Sequence, residues 1–528
     1  SSSPDSDGPM SLGSFGARPE SYRICGVEMG SHPIASSHFK DQLRRIASSA
    51  DLCFVTDRSN RALGLGCAVT EGQIRKVYVG TAYEEHADAA VLVCRLCLTF
   101  SAFGHNCTDA EQIIQDICSN MKLPSVVVTF ELRRCLFSIA GLPPHILNLS
   151  RGIHADKLAA VTKLATFLSS AQVLPSTSVC STLIDQILEE PDPYGKWFQI
   201  FAFQGLCMCA AICAFSGSYE DFLAAGLCAP AISLTLRIST RLKTLQRLEG
   251  VLIPTMLGLV VPIVWRYIIP TDPCHVVSWY LACLLVFLPG SQLVYGAYEV
   301  EGGSIVTGGG RLIGAIVRCM FLALGMSLGW QVFGHNAATP YIHKRGAIAS
   351  IPPREACEPG PNDIPWLIVF GLYNFPMLFF CLVGLNCRIR AMLGPFGVAY
   401  LSLLAYISLR EWNELPPTIV NIITVFLSGC LGAIYEYVTG TPKQVALIPV
   451  VLILAPGAGA VRDTLGGLHR SVYDDGPNSH MWDGLVLESG SYAFGLYLAQ
   501  AIWRPLIRKR SRSWAREAES SPDLDVTN

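Results

Sequence analysis

Six ionisable side chains stand beside or inside apolar runs, where charge is costly. Glu299, Glu301, Arg311 and Arg318 follow the run that ends at Ser291, Asp463 follows the run that ends at Ala458, and Glu488 lies in a late apolar stretch. A carboxylate beside a membrane cavity binds a substrate ammonium, or carries a coupling proton once desolvation raises its pKa toward neutral. An arginine in that setting pairs with an acid or with a substrate carboxylate. Arg311 and Arg318 are seven residues apart and share a helix face, and Glu488 is the mirror candidate for Arg318. The competing reading puts the acids in solvated interfacial loops and makes the arginines partners in structural ion pairs.

The two runs resemble each other. Leu284-Leu-Val-Phe-Leu-Pro289-Gly290-Ser291 and Val451-Leu-Ile-Leu-Ala-Pro456-Gly457-Ala458 are apolar segments that break at Pro-Gly and pass into small or polar residues. A helix broken inside a membrane leaves backbone donors and acceptors to be satisfied, and a solute satisfies them. Pro289, Gly290, Ser291, Pro456 and Gly457 are therefore candidates through their backbone, whereas Glu299, Arg311, Arg318, Asp463 and Glu488 are candidates through their side chains.

The elements that position these residues are membrane helices. Of 528 residues, 51% are hydrophobic and 15% charged, with a mean hydropathy of +0.39, too apolar for an ordinary soluble enzyme of this length. Ten apolar segments follow Pro191-Asp-Pro193: 198–216, 222–236, 251–264, 276–289, 312–333, 364–385, 391–409, 415–438, 445–461 and 485–506. Several fall short of the ~20 residues that span a bilayer, so they extend into polar flanks or are broken. The ten divide as five and five around the polar loop Gly334–Asp363, and an odd number per half inverts the second half. On these boundaries Pro289-Gly290 falls near the inner face and Pro456-Gly457 near the outer.

Lys and Arg are twice as frequent in loops on one side, among them Arg237, Arg311, Arg388, Lys443 and the tail from Arg504 to Arg516. The positive-inside rule makes that side cytoplasmic, together with both termini. Ahead of the segments, helical spacing through Leu92, Leu96 and Phe100, a capping box at Thr108–Glu111 and strands at Val126–Phe130 and Cys135–Ile139 predict an α+β domain. The expected division is 1–80 poorly ordered, with short strands at Cys53–Val55, Gly64–Val69 and Ile74–Val79, then 81–190 as the cytoplasmic α+β domain. Residues 198–333 and 364–506 follow as membrane repeats about loop 334–363, with 507–528 as a basic, disordered cytoplasmic tail. No signal-like run opens the sequence, and its first residue is Ser1 rather than Met, so an upstream piece is expected.

This order of elements resembles the threonine/serine exporter family, which includes bacterial amino-acid exporters and fungal pheromone-regulated membrane proteins. The resemblance spans Thr81 to Leu506. It rests on Arg151-Gly-Ile-His-Ala-Asp-Lys-Leu158, on Phe287-Leu-Pro-Gly-Ser-Gln-Leu-Val-Tyr-Gly-Ala-Tyr-Glu299 with Gly308-Gly-Gly-Arg311, and on Pro456-Gly-Ala-Gly459. His154 departs from it, standing where the family often has an acidic or amide residue. The resemblance implies proton-coupled export of small amino acids such as threonine and serine.

Other chemistry finds little support. Cys94-Arg-Leu-Cys97 has the CxxC form without a second pair, and its place on an apolar helix predicts packing rather than zinc or redox chemistry. The sequence carries no Walker, dinucleotide or GxSxG motif, which favours ion coupling over ATP and predicts neither cofactor, metal nor enzymatic activity. The basic tail reads as an anchor to anionic lipid rather than a nucleic-acid site. The leading expectation is a polytopic α-helical secondary transporter of about ten helices in a 5+5 inverted repeat, whose partners are a small solute, protons and the bilayer. A channel and a membrane-anchored regulatory protein are the alternatives.

Overall fold

The computed structural model describes residues 86–123, 126–130, 134–139, 145–148, 153–171, 174–215, 217–241, 248–269, 276–334, 372–412, 415–454, 457, 460, 461, 464 and 480–519. The strands expected before residue 80, Pro456 and Asp463 lie outside these residues.

Helix α1 (Ala87–Phe103) is buried on almost every side, because α2 (Cys107–Asn120), α3 (Ala155–Ser170) and α4 (Thr177–Glu189) pack around it. Cys94 and Cys97 are buried there, and Cys97 lies against Cys135. A three-stranded antiparallel sheet in the order β1 (Val126–Phe130), β2 (Arg134–Ile139), β3 (His145–Asn148) adds a layer; Val126 pairs with Ile139 and Cys135 with Leu147. Strand alternation sends Val128, Phe130, Cys135, Phe137 and Leu147 into the core. Strand β3, only four residues long, was not foreseen.

The capping box at Thr108 is displaced by two residues. Asn106 is the N-cap of α2 and accepts from the Thr108 amide at 3.2 Å, while Glu111 accepts from the Phe130 amide at 2.8 Å and ties α2 to β1. His154 caps α3: its Nδ1 accepts from the Lys157 amide at 3.4 Å. An acid or amide at this place would cap in the same way, so the departure at His154 keeps the function of the position.

The remaining helices are α5 (Lys196–Cys213), α6 (Tyr219–Arg241), α7 (Glu249–Tyr267), α8 (Val276–Leu284), α9 (Gly290–Glu301), α10 (Ile305–Gly334), α11 (Asn374–Gly384), α12 (Ile389–Trp412), α13 (Pro417–Thr439), α14 (Lys443–Leu454) and α15 (His480–Glu519). Among the described residues four helices are long and apolar enough to cross a membrane. The bent pair α8–α9, turned by 51°, is a broken span or a re-entrant loop, and makes a fifth if counted as one span. The chain is an integral, multi-pass helical membrane protein, and Ile313, Leu393 and Val438 show apolar faces outward as lipid-facing helices do.

Packing follows a pattern that recurs. From α5 to α10, the second helix packs on the third, the third pairs most extensively with the fifth (α7 with α10), and α8 lies against α6. From α11 to α15, α12 packs on α13, α13 pairs most extensively with α15, and α14 lies against α12. The two sets meet where α5 touches α11 and where α9 touches α14 and α15. Helix α15 is 40 residues long, ~60 Å, so the segment expected to be a disordered tail from 507 is helical as far as Glu519.

Candidate functional site

The first Pro-Gly break lies inside a span rather than at its end. A 3₁₀ turn (Leu285–Phe287) closes α8, Pro289 becomes the N-cap of α9, and the chain runs on for twelve helical residues. Proline suits a helix start because its missing N–H has no intrahelical partner there. Gly457, from the second break, lies directly on this point. A methyl group at Gly457 would stand 2.6 Å from the Gly290 nitrogen and 2.9 Å from its Cα, so the two breaks are in backbone contact.

Helix lengths set the depth of this crossing. Helices α9 and α14 each have twelve residues, ~18 Å, and both run from the crossing to the N-terminal region. Glu299 and Gly302 on α9 meet Cys107 and Thr108, and Gln444 on α14 meets Asp109. A run of ~18 Å is about 60% of the ~30 Å thickness of a hydrocarbon core. The sequence expectation ended the fourth segment at Pro289; α9 continues the helix beyond it, so the break lies between two helical stretches rather than at an end.

Glu299 and Arg311 come together, but not between the breaks. Glu299 is fully buried on α9 rather than in an interfacial loop. Its Oε2 lies 3.1 Å from Arg311 Nε, its Oε1 accepts from the Cys107 amide at 3.2 Å, and Arg311 Nη2 contacts Cys107 Sγ at 3.0 Å. The carboxylate thus faces the N-terminus of α2, whose partial positive charge favours an anion. Gly308 permits the hairpin that holds this pair: a methyl group there would meet the Gly296 carbonyl oxygen at 2.5 Å. Ser291 is partly buried in the first turn of α9. Arg318 sits thirteen residues into α10, deeper than expected because that helix begins at Ile305, and Glu488 sits on α15; both are partly buried.

A second junction lies at the turn between α11 and α12. Arg388 pairs with Asp156 at 3.5 Å and with Glu190, its amide donates to Asp156 at 3.1 Å, and the Ala155 amide donates to the Leu385 carbonyl at 2.9 Å. Arg388 and Lys443, two cations that the charge count placed on one side, thus lie on the face toward the N-terminal region.

A recess lined by polar and apolar side chains opens where α2, α9, α13, α14 and α15 converge. Asp109 Oδ2 accepts from Gln444 Nε2 at 2.9 Å and Oδ1 from Gln500 Nε2 at 3.1 Å. Gln500 Oε1 accepts from Lys443 Nζ at 3.0 Å and from the Tyr298 hydroxyl. Burial pushes the Asp109 carboxyl up, but Lys443, His105 and the two amide donors outweigh it and hold the group below the usual carboxylate range. His105 lies beside it, its Nδ1 3.0 Å from the Asn106 carbonyl oxygen. Burial, reinforced by Lys443, holds the imidazole below its ordinary value against the opposing pull of Asn106 and Asp109. None of these residues was foreseen as a site. Asp109 read as a first-turn helix acid, Lys443 as a loop cation and Gln500 as an apolar-segment residue; the fold alone brings them together.

Comparison with known proteins agrees with this architecture. Residues 91–333 match the family described as "Putative threonine/serine exporter". This match and the relatives below support a threonine/serine exporter-like reading, on the branch of the fungal pheromone-regulated membrane proteins. Pheromone-regulated membrane protein 10 of Candida albicans is 22% identical over 401 residues, 70% of this chain and 34% of that protein. Its namesake in Saccharomyces cerevisiae is 22% identical over 338 residues, 61% of this chain and 80% of that protein. That of Yarrowia lipolytica is 27% identical over 189 residues, 34% of this chain and 14% of that protein. The chain spans about a third of the length of the Candida relatives it matches. No solved structure matches. The family match covers α1 to α10 and so includes Pro289, Gly290, Glu299 and Arg311.

Proposed function

We propose that this chain is a secondary active transporter that exports small amino acids, threonine and serine among them, or related solutes, with protons as the coupling ion. The observation that carries this reading is the backbone contact between Gly290 and Gly457, one from each Pro-Gly pair. Broken helices crossing near the bilayer midplane are the design of carriers that alternate access around a central site. A pore open through this point would need the breaks apart.

An inverted 5+5 repeat of ten spans accounts for the packing. The same helix pairings recur in the two halves, and equivalent elements touch each other: α5 touches α11, and Gly290 touches Gly457. Elements that touch their own counterparts lie on a two-fold axis. An axis in the membrane plane exchanges the two faces, so in this reading such contacts belong at the midplane. In this reading residues 81–190 form a cytoplasmic domain that docks on the inner face through Arg388, Glu299 and Lys443. Residues 198–333 and 364–506 are the two repeats. Arg318 and Glu488 are second-line partners within the bundle.

Uptake by proteoliposomes of glycine, alanine, serine and threonine, with and without an imposed pH gradient, tests the function. Saturable uptake that the gradient enhances is expected for at least one of them. Leakage equal to empty vesicles for the whole panel would remove the proposal.

A further inference from the structure

The Gln500 amide lies between opposite charges with the polarity of a small zwitterion. Its oxygen accepts from Lys443 Nζ at 3.0 Å, and its nitrogen donates to Asp109 Oδ1 at 3.1 Å. Asp109 and Lys443 are partly buried, where opposite charges attract more strongly than in open water. The spacer between them is one amide group. An α-amino acid offers the same pattern with full charges: an ammonium to donate where Nε2 donates, and a carboxylate to accept where Oε1 accepts. Each bond to Gln500 already has one charged partner; a zwitterion would make both contacts ion pairs, adding direct Coulomb attraction.

Two further observations point to a ligand. Gln444 is buried, and while its Nε2 serves Asp109, its Oε1 makes no hydrogen bond among the described residues. A buried acceptor left unused is costly, and a second ammonium hydrogen or a solute hydroxyl would satisfy it. Lys443 and Gln444 also open α14, so the positive end of that half-helix adds its attraction for a carboxylate.

We propose, resting on the transport reading above, that this recess binds the head group of small zwitterionic α-amino acids at the inner end of the path. Asp109 of the N-terminal domain takes the ammonium, Lys443 takes the carboxylate, and Gln500 is the resident group that the solute displaces. The cavity in the recess measures about 30 Å³, room for water but not for an amino acid. A solute of amino-acid size therefore enters as Gln500 swings away, and the structure is the closed, self-satisfied state. The N-terminal domain then supplies part of the site itself and does more than regulate from outside.

Equilibrium binding to the purified full chain in lipid nanodiscs tests this, with labelled glycine, alanine, serine and threonine as probes. Serinamide lacks the carboxylate and N-acetylserine lacks the ammonium. Each is expected to compete about tenfold to a hundredfold less well than serine. Asp109→Asn and Lys443→Gln, checked for an unchanged size-exclusion profile, should lose affinity by a similar factor, and Gln500→Ala should bind more tightly. The site is wrong if no probe binds, if the blocked analogues compete as well as serine, or if Asp109→Asn binds as the wild type does. Flux undiminished in Asp109→Asn proteoliposomes would remove the site and leave the transport reading standing. Zwitterion-selective binding without flux would do the reverse.

Discussion

Replacing Gly457 by alanine probes the crossing at its tightest point. The added methyl carbon would stand 2.6 Å from the Gly290 nitrogen, 2.9 Å from the Gly290 Cα and 3.0 Å from the Leu288 Cβ, well inside the 3.4 Å at which ordinary contact begins. Two of these neighbours are backbone atoms, which cannot swing aside, so the helices must part by most of an ångström. Overpacking of this kind costs roughly 1–3 kcal/mol, a ~5- to 150-fold shift away from the closed crossing. If the crossing closes in every cycle, solute flux through Gly457→Ala falls by a factor in that range and the melting temperature drops. Gly309→Ala is the control, because a methyl group at Gly309 meets nothing within 4 Å. Wild-type flux and melting in Gly457→Ala, or equal damage in Gly309→Ala, would refute the close approach of the two breaks.

Three other outcomes are expected. Glu299→Gln strands Arg311 in a buried setting and should destabilise the protein by about 3–5 kcal/mol, read as a lower melting temperature that Glu299→Gln/Arg311→Gln partly restores; a variant as stable as wild type would show the ion pair to be dispensable. Because the fold depresses the His105 pKa below 6.5, the stability it contributes is complete above that value and declines as pH falls through and below it. Thermal melts from pH 7.5 to 5 should show this decline, and His105→Gln should flatten it; identical profiles would remove His105 as the cause. A glycosylation site inserted into the 334–363 loop should be modified and one inserted after Ser176 should not, with the opposite pattern overturning the topology.

Much of the bundle was legible because lipid imposes long apolar runs, and each of the ten runs coincides wholly or partly with described helix or broken helix. Ends were less legible. Helix α7 gained Glu249, Gly250 and Trp265–Tyr267 beyond its apolar run, and α10 began at Ile305, before the apolar density rises. Helix α9 was not given as an element, since Gly290–Glu301 mixes Gln, Tyr and Glu and carries the look of a loop; Glu299 instead accepts from the Cys107 amide and Tyr298 donates to Gln500 on α15. Glu299 and Arg311 were singled out from type and spacing and do meet, yet their contact with the N-terminal region depends on Cys107, about two hundred residues away in sequence. The recess was illegible for the same reason, because Asp109, Lys443 and Gln500 lie on three distant segments with no periodicity linking them.

Counterflow tests the central claim most directly. Proteoliposomes loaded with unlabelled serine or threonine are diluted into a trace of the labelled amino acid. A carrier that alternates around the Gly290–Gly457 crossing exchanges solute for solute, so label should rise transiently above equilibrium and then decay. A monotonic approach to equilibrium, or no uptake beyond that of empty vesicles, would contradict the account.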